Sequence, residues 1–504
     1  MSLIPASRKG TFGRFALASV LVVAFTASAT AVAGLLQFKQ LAKEIAGTRS
    51  ISGLRVEIAN PGSPQTLLLI GSDHRVGTPW NAANTDTMML VHIDPNSSTI
   101  NLLSVPRDLK VQIPEGGVPV TQRINAAYSI GGPGLLLKIL RQQVFPGIHV
   151  HHVIDVNFGG FVSLVNAIGC VYTDVDHRYY NNTTYTNYSS IDIQPGYARL
   201  CGSDALAFVR FRHTDSDIVR NARQQDFLRW AKDQFSTSSL FASRDKLLTM
   251  FGKHTQTDAD LHSVDGLINL FDLVLFSAGH TIKQVQFPAM FLPCAPGTGQ
   301  ACYVAADPGP LHHIYQQFMT PTIARAGSGG QGGHAAPSLT PPRPGPVSGL
   351  SPDVSDGKAQ AAALTNAGFP VYFPRLVLAG SAYCSGTVGN CPAELQTTGS
   401  YPRGYLLLDR AGHPRPSYRM TVAINPSLGE YYGVQGTTWQ HPPILNNPTQ
   451  TRTVDGKQLM LFVNGGKISL VAWRTRRAVY WISNSLTDAI GNRQMIAIAA
   501  SLTQ

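Results

Sequence analysis

Four arginines lie close together in residues 207–225, which read AFVRFRHTDSDIVRNARQQ. The segment contains no lysine, although only 14% of the residues in the chain are charged. A solvent-exposed basic surface would normally include lysine, whereas the planar guanidinium group of arginine suits bidentate binding of phosphate or carboxylate. The segment therefore indicates a polyanion bound at close range by Arg210, Arg212, Arg220 and Arg223.

Carboxylates and a further arginine stand at the ends of predicted strands. Apolar runs at residues 66–70, 87–93 and 99–105 predict three strands, the last two joined as a hairpin. Asp73 follows the first run, Asp86 precedes the second, and Arg107 and Asp108 follow the third. Magnesium prefers a few carboxylate oxygens together with phosphate oxygens and water. The pattern therefore predicts a pyrophosphate site in which arginines neutralise the remaining charge.

The charged residues also allow a purely structural role, in which arginines and carboxylates form salt bridges that only stabilise the fold. A nucleoside triphosphatase is disfavoured because the chain has no GxxxxGK[ST] motif. A net charge of +11 indicates an anionic partner. The chain offers no DNA-recognition motif, and its basic residues do not form a continuous run, so we expect no nucleic-acid partner.

The N-terminus predicts export of most of the chain. Residues 15–36 are uncharged, long enough to cross a bilayer, and preceded by Arg8, Lys9 and Arg14. This charge distribution predicts a single-pass membrane protein with a cytoplasmic N-terminus and an extracytoplasmic body. The alternative is a cleaved signal peptide that ends near Ala31-Val32-Ala33.

The six cysteines agree with an exported protein, in which an even number of cysteines favours disulfides. Proximity in the sequence suggests three pairs, although six cysteines allow other connectivities. The suggested pairs are Cys170–Cys201, Cys294–Cys302 and Cys384–Cys391.

Composition and hydrophobic patterning divide the chain into segments. Strand-like and helix-like stretches alternate through the first large domain and predict an α/β or α+β layered fold, and one predicted helix covers residues 217–234. A stretch rich in Gly, Pro and Ser predicts a linker. The segments are a cytoplasmic tail (1–14), a transmembrane helix (15–36), a stem (37–59), the first domain (60–320), the linker (321–365) and a smaller α+β C-terminal domain (366–504).

Six motifs in the first domain resemble, in this order, those of the LytR-CpsA-Psr family of bacterial cell-envelope proteins. The resemblance covers roughly residues 60–320, and the order of the motifs makes it specific. They are LLLIGSDHR (67–75), TDTMMLVHID (85–94), LLSVPRDLKV (102–111), RINAAYSIGGP (123–133), IDVNFGGFVSLVNAIGCV (154–171) and ALAFVRFRHTDSDIVRNARQQ (205–225).

The resemblance implies a layered α/β/α catalytic domain with a mixed central sheet. It also implies a phosphotransferase that moves a glycopolymer from a polyprenyl diphosphate carrier to a peptidoglycan hydroxyl at the cell membrane. An apolar tunnel between the sheet and the helices would take the prenyl chain. The expected partners are the lipid-linked glycopolymer, peptidoglycan and the membrane.

The motifs also assign roles to individual residues by resemblance. Asp73 and Asp86 correspond to the carboxylates that hold Mg²⁺ or Mn²⁺, and with Arg107 and Arg210 they form the expected catalytic group. Family members often carry an arginine two residues before the aspartate of DTMML, where this chain has Asn84. That charge could come from Arg75 or Arg123. The expected diphosphate-binding residues are Arg75, Arg107, Arg210, Arg212, Arg220 and Gln224.

Two further functions remain open from the sequence. The arginine-rich site could belong to a non-enzymatic exported regulator that binds anionic polymer or lipid phosphate. It could also belong to a pyrophosphatase that uses water as the acceptor. In the C-terminal domain, Trp473, Tyr480 and Trp481 are expected in the core, the alternative being a sugar-binding surface.

Overall fold

A mixed sheet with helices on both faces forms the N-terminal domain. The computed structural model describes residues 50–51, 53–73, 83–182, 190–212, 215–234, 255–293, 302–320, 347–385, 391 and 401–504. The strands of this domain are β1 (Gln65–Ser72), β2 (Thr85–Ile93), β3 (Thr99–Ser104), β4 (Lys110–Glu115), β5 (Val118–Arg123), β6 (His152–Asn157), β7 (Val171–Val175), β8 (Tyr179–Asn181), β9 (Ile191–Ile193), β10 (Gly196–Leu200), β11 (Thr255–Thr257), β12 (Thr281–Val285), β13 (Met290–Phe291) and β14 (Val304–Ala305). The helices are α1 (Ala126–Ile139), α2 (Phe158–Ala167), α3 (Gly202–Arg210), α4 (Asp217–Gln234), α5 (Val264–Phe276) and α6 (Pro308–Met319).

The central sheet has the strand order β11-β6-β1-β2-β3-β12. Strand β1 is antiparallel to β2 and parallel to β6, and β3 is antiparallel to β2 and parallel to β12. The hairpin of β2 and β3 was predicted from the turn between them, and the sheet is mixed, as the resemblance implied. Strand β1 ends beside the start of β2, and β3 ends on the same side. Asp73, Asp86 and Arg107 therefore lie at the same end of these strands.

Continuous apolar runs along the central strands build two cores, one on each face of the sheet. Leu68 and Leu90 face one side of the sheet, where they join a cluster that includes residues of α1 and α6. Leu67 and Val91 face the other side and join a cluster that includes residues of α4 and α5. Successive side chains of a strand point to opposite faces, so both faces of these strands are apolar and covered. The arrangement is a three-layer α/β/α domain.

A separate sheet, which is antiparallel, forms the C-terminal domain. The strands of this domain are β15 (Leu350–Pro352), β16 (Phe373–Pro374), β17 (Leu376–Leu378), β18 (Ala382–Tyr383), β19 (Arg403–Leu408), β20 (Pro414–Asn425), β21 (Glu430–Thr437), β22 (Gln450–Val454), β23 (Lys457–Asn464), β24 (Lys467–Arg474), β25 (Val479–Ser483) and β26 (Leu502–Thr503). The order is β18-β20-β21-β25-β24-β23-β22, with β19 paired to β20. Helices α7 (Val354–Ala363) and α8 (Asn492–Ala500) complete the domain, and α8 packs against the core of the sheet. Trp473, Tyr480 and Trp481 are buried, as expected of core residues.

The predicted linker extends too far toward the C-terminus. Residues 350–363 were assigned to it by composition but form β15 and α7, and Leu364 is buried in the C-terminal core. The side chain of Asp353 caps α7 by accepting a hydrogen bond from the backbone N–H of Asp356 at 3.3 Å. The Pro- and Ser-rich composition continues up to this cap and hides the start of the helix. Residues 321–346 lie outside the described residues.

Two of the three suggested disulfides are present in the structure, Cys170–Cys201 and Cys384–Cys391. Cys302 is also disulfide-bonded, and its suggested partner, Cys294, lies outside the described residues. The predicted membrane-spanning segment at residues 15–36 lies outside them too. Within the part of the chain that the structure describes, no helix has both the length and the apolarity needed to cross a bilayer.

The two domains are joined by buried polar contacts and a shared apolar cluster. The guanidinium group of Arg419, on β20, lies 3.0 Å from the carboxylate of Asp174, on β7, and both side chains are buried. The hydroxyl of Tyr405 accepts a hydrogen bond from the backbone N–H of Tyr197 at 2.7 Å. Tyr197 and Trp481 belong to one apolar cluster that spans both domains. The domains therefore bury complementary surfaces against each other.

We expect the Arg419–Asp174 pair to be essential for stability. Asp174→Ala leaves a buried guanidinium group without its carboxylate and should lower the free energy of unfolding by about 3–5 kcal/mol. Urea unfolding followed by circular dichroism measures this loss. Glu57→Ala is the control, because the half-exposed carboxylate of Glu57 pairs with Arg141 at the surface and should contribute less than about 1 kcal/mol. Equal losses in the two variants would contradict a buried, essential pair.

Candidate active site

Two loops and the start of a strand bring charged residues together at one end of the central sheet. Asp73 follows the last residue of β1, Asp86 is the second residue of β2, and Arg107 lies in the loop after β3. The strand register fixes their proximity, because Ser72 pairs with Thr85 across β1 and β2. The backbone N–H of Asn84 donates to the Asp73 carboxylate at 2.6 Å, so the two loops also bind each other directly.

The second half of the site is the corner between α3 and α4. Arg210 is the last residue of α3, and Arg220 lies one turn into α4. The guanidinium group of Arg210 stacks over the ring of Phe158, the first residue of α2, at 3.8 Å. This cation–π contact fixes the plane of the guanidinium group at the edge of the site.

Asp86 is the carboxylate on which the arginines converge. Its two oxygens accept hydrogen bonds from Arg107 and, at 3.3 Å, from Arg210. Arg220 donates to the backbone carbonyl oxygen of the same residue at 3.0 Å. Burial acts to raise the pKa of the Asp86 carboxyl, but the charges of Arg220, Arg107 and Arg210 outweigh it and lower that pKa. Asp86 is therefore held as a carboxylate.

Two further carboxylates orient these arginines from behind. Asp217, the first residue of α4, accepts a hydrogen bond from the backbone N–H of Arg107 at 3.0 Å and forms an ion pair with Arg220. Asp108 accepts from Arg212 at 2.7 Å and lies 3.5 Å from Arg123. Burial, together with the charge of Asp217, raises the pKa of Asp108. Carboxylates and guanidinium groups thus alternate through the site.

These residues open into a cavity of about 1060 Å³ between the sheet edge, α3 and β8–β9. Its charged end combines five arginines with two carboxylates. The rest of the lining combines polar residues, such as Ser190 and Ser203, with apolar ones, such as Ile191 and Leu206. The residues of the charged end are Asp73, Asp86, Arg107, Arg123, Arg210, Arg212 and Arg220, and the cavity is lined by two further carboxylates, Asp192 and Asp204. Such a cavity can bind a diphosphate at one end and polar groups, such as sugar hydroxyls, at the other.

The LytR_cpsA_psr family model matches residues 29–306. That match takes in more than half of the 504 residues. The chain belongs to the LytR_cpsA_psr family. The loops and helices that form the cavity lie within the matched residues, so the cavity is a feature of the LytR_cpsA_psr domain.

Two curated relatives carry names that describe an activity. The polyisoprenyl-teichoic acid–peptidoglycan teichoic acid transferase TagU of Oceanobacillus iheyensis is 31% identical over 237 residues, which are 44% of this chain and 69% of that protein. The corresponding transferase TagV of Bacillus subtilis is 29% identical over 210 residues, which are 41% of this chain and 53% of TagV. The chain therefore spans about half the length of TagV.

Among solved structures, the crystal structure of protein gbs0355 from Streptococcus agalactiae is similar to this chain. It is 24% identical and covers 53% of this chain and 90% of its own, with a TM-score of 0.44.

Most of the site residues suggested by the sequence meet in the cavity of the LytR_cpsA_psr domain. Asp73, Asp86, Arg107, Arg210, Arg212 and Arg220 all line it. Arg123, one of two residues considered as a replacement for the missing arginine at Asn84, lines it as well. The other, Arg75, lies outside the described residues.

Two residues of the arginine-rich segment, Arg223 and Gln224, do not line the cavity. Gln224 is buried, and its side-chain amide donates to the backbone carbonyl oxygen of Val209 at 3.0 Å, close to the end of α3. Arg223 is fully buried and pairs with Asp215. Arg223 and Gln224 lie three and four residues after Arg220, so all three share one side of α4. Arg223 and Gln224 lie one turn beyond the cavity, where Asp215 and the backbone carbonyl oxygens of Phe211 and Val209 bind them, and only Arg220 lines it. The interpretation of Arg223 as a ligand-binding residue is wrong, and Gln224 positions α3.

Sequence reasoning missed the residues that hold the arginines. Asp108 and Asp217 were noticed, one beside Arg107 and one at a helix start, but neither was assigned to the site. Phe158 was included only as part of the motif at residues 154–171. The available signal was the direct adjacency of Asp108 to a site arginine. Contacts such as that of Asp217 with the Arg107 backbone join segments 110 residues apart and leave no local pattern.

The carboxylates fit the chemistry of a magnesium site completed by substrate. Asp73 and Asp86 line the same cavity, and Mg²⁺ typically binds one or two carboxylates together with substrate phosphates and water. Among the described residues there is no cluster of three or more His, Cys, Asp or Glu side chains that could hold a metal ion alone. A metal ion here would therefore need phosphate oxygens from the substrate.

The apolar tunnel implied by the family resemblance stays a prediction. Leu136, Ile139 and Leu140 are buried in the cluster between the sheet and α1. Helix α1 is interrupted at Gly131 and Gly132, where the backbone leaves helical geometry before Pro133. The described side chains in this layer pack as an ordinary core.

A buried carboxyl group lies on the strand next to β1, which leads to Asp73. Asp155, on β6, pairs across the strands with Ile70 of β1, and the hydroxyl of Tyr128 donates to its carboxylate. Burial raises the pKa of Asp155 to about 7. The carboxyl group therefore keeps its proton in the folded protein at pH values where it ionises in the unfolded chain.

This shift predicts that stability falls as the pH rises. The unfolded carboxyl ionises near its ordinary value of 3.8 and the folded one near about 7, so the loss accumulates between these pH values and is complete above the higher one. Asp155→Asn removes the titration while keeping the shape. Urea unfolding at about pH 5 and about pH 8 should show a larger loss in the wild type than in the variant. Parallel pH profiles would disprove the assignment.

Proposed function

We propose that this protein is a phosphotransferase that moves a glycopolymer phosphate from a polyprenyl diphosphate carrier to a peptidoglycan hydroxyl. The observation that carries the proposal is the convergence of Arg107, Arg210 and Arg220 on Asp86 inside a cavity large enough for a diphosphate and the first sugars. Membership in the LytR_cpsA_psr family and the names of the two relatives support it.

The arginines supply the binding energy for a diphosphate. A guanidinium group carries five N–H donors, and Arg210 uses one of its nitrogens to donate to Asp86 at 3.3 Å. Donors that remain can bind phosphoryl oxygens. Arg212 and Arg123 lie at the same end of the cavity and are held by Asp108. Preorganised donors of this kind stabilise charge that moves toward the leaving group in the transition state.

In the proposed reaction, a sugar hydroxyl of peptidoglycan attacks the phosphorus atom that bears the glycopolymer. A new phosphorus–oxygen bond forms, and the bond to the polyprenyl phosphate breaks in line with it. The hydroxyl proton passes to a carboxylate of the cavity, for which Asp73 and Asp86 are the candidates. Asp86 is a weak base in this role, because three arginines lower its pKa.

We propose Mg²⁺ or Mn²⁺ as the cofactor, held by Asp73 and Asp86. When bound, the ion would neutralise phosphoryl oxygens and help to orient the diphosphate. Asp86 is already ionised by its arginine neighbours, so no proton has to be displaced before it can bind a cation.

We also propose that the catalytic domain acts outside the cytoplasm, next to the membrane that carries its lipid-linked substrate. Two disulfides in the described residues support an oxidising compartment. The uncharged segment at residues 15–36 would provide the anchor.

Arg210→Ala should lower the rate of transfer by about 100-fold or more, the loss typical of a removed transition-state donor. Purified protein, a polyprenyl diphosphate glycan and peptidoglycan fragments are incubated together, and the phosphate-linked product is measured by mass. Arg210→Lys keeps the charge without the planar fork and should be intermediate.

Arg199→Ala is the matched control for this experiment. Arg199 is an exposed arginine of the same domain, and its guanidinium group donates to the backbone carbonyl oxygen of Gly169, outside the cavity. It should transfer at the wild-type rate. Wild-type transfer by Arg210→Ala would refute the assigned role. Release of phosphorylated glycan without transfer would support a pyrophosphatase, and binding without turnover would support a non-enzymatic binder.

Transfer should stop when divalent cations are removed with a chelator and return when Mg²⁺ or Mn²⁺ is added. Asp73→Asn should need a higher Mg²⁺ concentration for half-maximal transfer, because one anionic ligand is lost. A titration of the rate against metal concentration measures this. Unchanged transfer in the presence of the chelator would rule out the proposed cofactor.

A further inference from the structure

The C-terminal domain reaches the arginine-bearing corner of the active site. Gly429 ends the short turn between β20 and β21 and adopts a left-handed conformation with φ of 77°. Its backbone packs directly against Asp215, in the segment that joins α3 to α4. A Cβ atom at this glycine would lie 2.6 Å from the Oδ1 atom of Asp215. Only glycine therefore allows this approach without displacement of Asp215.

Asp215 lies among buried polar side chains. Its carboxylate forms an ion pair with Arg223, and the Nε2 atom of His177 lies 3.7 Å from its Oδ1 atom. The ring of His177 stacks on that of Tyr431, the second residue of β21, with a centroid distance of 4.2 Å. Both domains thus supply the surroundings of Asp215.

The position of Asp215 determines where the active-site residues on either side of it lie. Arg223 also donates to the backbone carbonyl oxygen of Phe211, the residue before Arg212. Two residues beyond Asp215, Asp217 holds the backbone of Arg107 and the side chain of Arg220. A shift of Asp215 would therefore move the arginine donors on both sides of the corner.

A second contact supports the same region. The hydroxyl of Tyr401 accepts a hydrogen bond from the backbone N–H of Arg178 at 2.6 Å. Arg178 follows His177 in the chain and precedes β8, whose last residue, Asn181, lines the cavity. The C-terminal domain therefore contacts His177, which faces Asp215, and the backbone of Arg178, which leads to β8 and the cavity wall.

We propose that the C-terminal domain is a positioning element of the diphosphate site and that it acts through Asp215. The matched family residues end at 306, yet the arginine corner is completed by residues more than one hundred positions later. The inference rests on the proposed function for its ligand, a diphosphate. Asp215 and Gly429 are positioning residues, because they act on the ligand through Arg212 and Asp217.

The test compares two glycines with the same backbone conformation. Gly368 also ends a short 3-10 turn in the C-terminal domain with φ of 77°, but a Cβ atom there would meet no atom within 4 Å. Gly429→Ala and Gly368→Ala therefore carry similar backbone strain, and only the first pushes on Asp215. Binding of inorganic pyrophosphate in the presence of Mg²⁺ is measured by calorimetry on the full chain, together with the rate of transfer.

We expect Gly429→Ala to weaken pyrophosphate binding by about tenfold or more, since small displacements of positioned groups are costly. Gly368→Ala should bind like the wild type. Equal binding by the two variants would overturn the inference. If the wild type binds pyrophosphate but does not transfer glycopolymer, the proposed function fails, and the binding comparison still decides the positioning role.

A pair of milder changes decides the case if Gly429→Ala does not fold. Tyr401→Phe and Tyr405→Phe each remove one hydroxyl that bonds across the domain interface. Tyr401 holds the backbone next to His177, whereas Tyr405 holds Tyr197 on β10. Weaker pyrophosphate binding in Tyr401→Phe alone supports the inference. The same binding in both variants contradicts it.

Discussion

Repulsion between like charges is the constraint on which this site depends. Five arginines line one end of a single cavity. Guanidinium groups that lie this close in one cavity repel each other unless carboxylates stand between them. Asp86, Asp108 and Asp217 provide that separation, each contacting at least two of the arginines or their backbone. The same carboxylates then determine the direction of each guanidinium group. A diphosphate entering the cavity meets donors that are already oriented.

Buried ion pairs contribute little to the stability of a fold, because each charge loses its hydration free energy when it is buried. The Arg220–Asp217 and Arg223–Asp215 pairs are fully buried, one at the edge of the cavity and the other a turn behind it. Apolar side chains of similar volume could fill these positions with less loss of solvation. Their presence at this corner is better explained by the orientation that they impose on α3 and α4. The buried ion pairs thus lower the stability of the fold but hold the arginines in fixed positions, as in other preorganised sites.

The sequence was sufficient where local pattern and topology agree. Apolar runs predicted β1, β2 and β3, and the residues at or just beyond their ends, Asp73, Asp86 and Arg107, lie together at one end of the sheet. The pattern failed where polar residues are buried by another domain. Strands β20 and β21 were not predicted. In β20, Arg419 and Thr421 alternate with the apolar Tyr418, Met420 and Val422 and would indicate a face exposed to solvent, as would Gln435 in β21. All three polar residues are fully buried, and Arg419 and Thr421 contact the N-terminal domain through Asp174 and Asp176. Burial of that kind depends on a surface formed elsewhere in the chain.

The same reasoning explains why the arginine-rich segment was only partly understood. The four arginines look equivalent in the sequence, yet Arg210, Arg212 and Arg220 line the cavity, whereas Arg223 is buried in the interior. The difference arises because Arg223 lies one turn further along α4 than Arg220, where Asp215 and the backbone carbonyl oxygen of Phe211 bind its guanidinium group in the interior. Burial of Arg223 requires a buried acid, Asp215, and that acid needs a neighbour without a side chain, Gly429. One glycine in the second domain is therefore part of the physical basis for the placement of the arginines in the first.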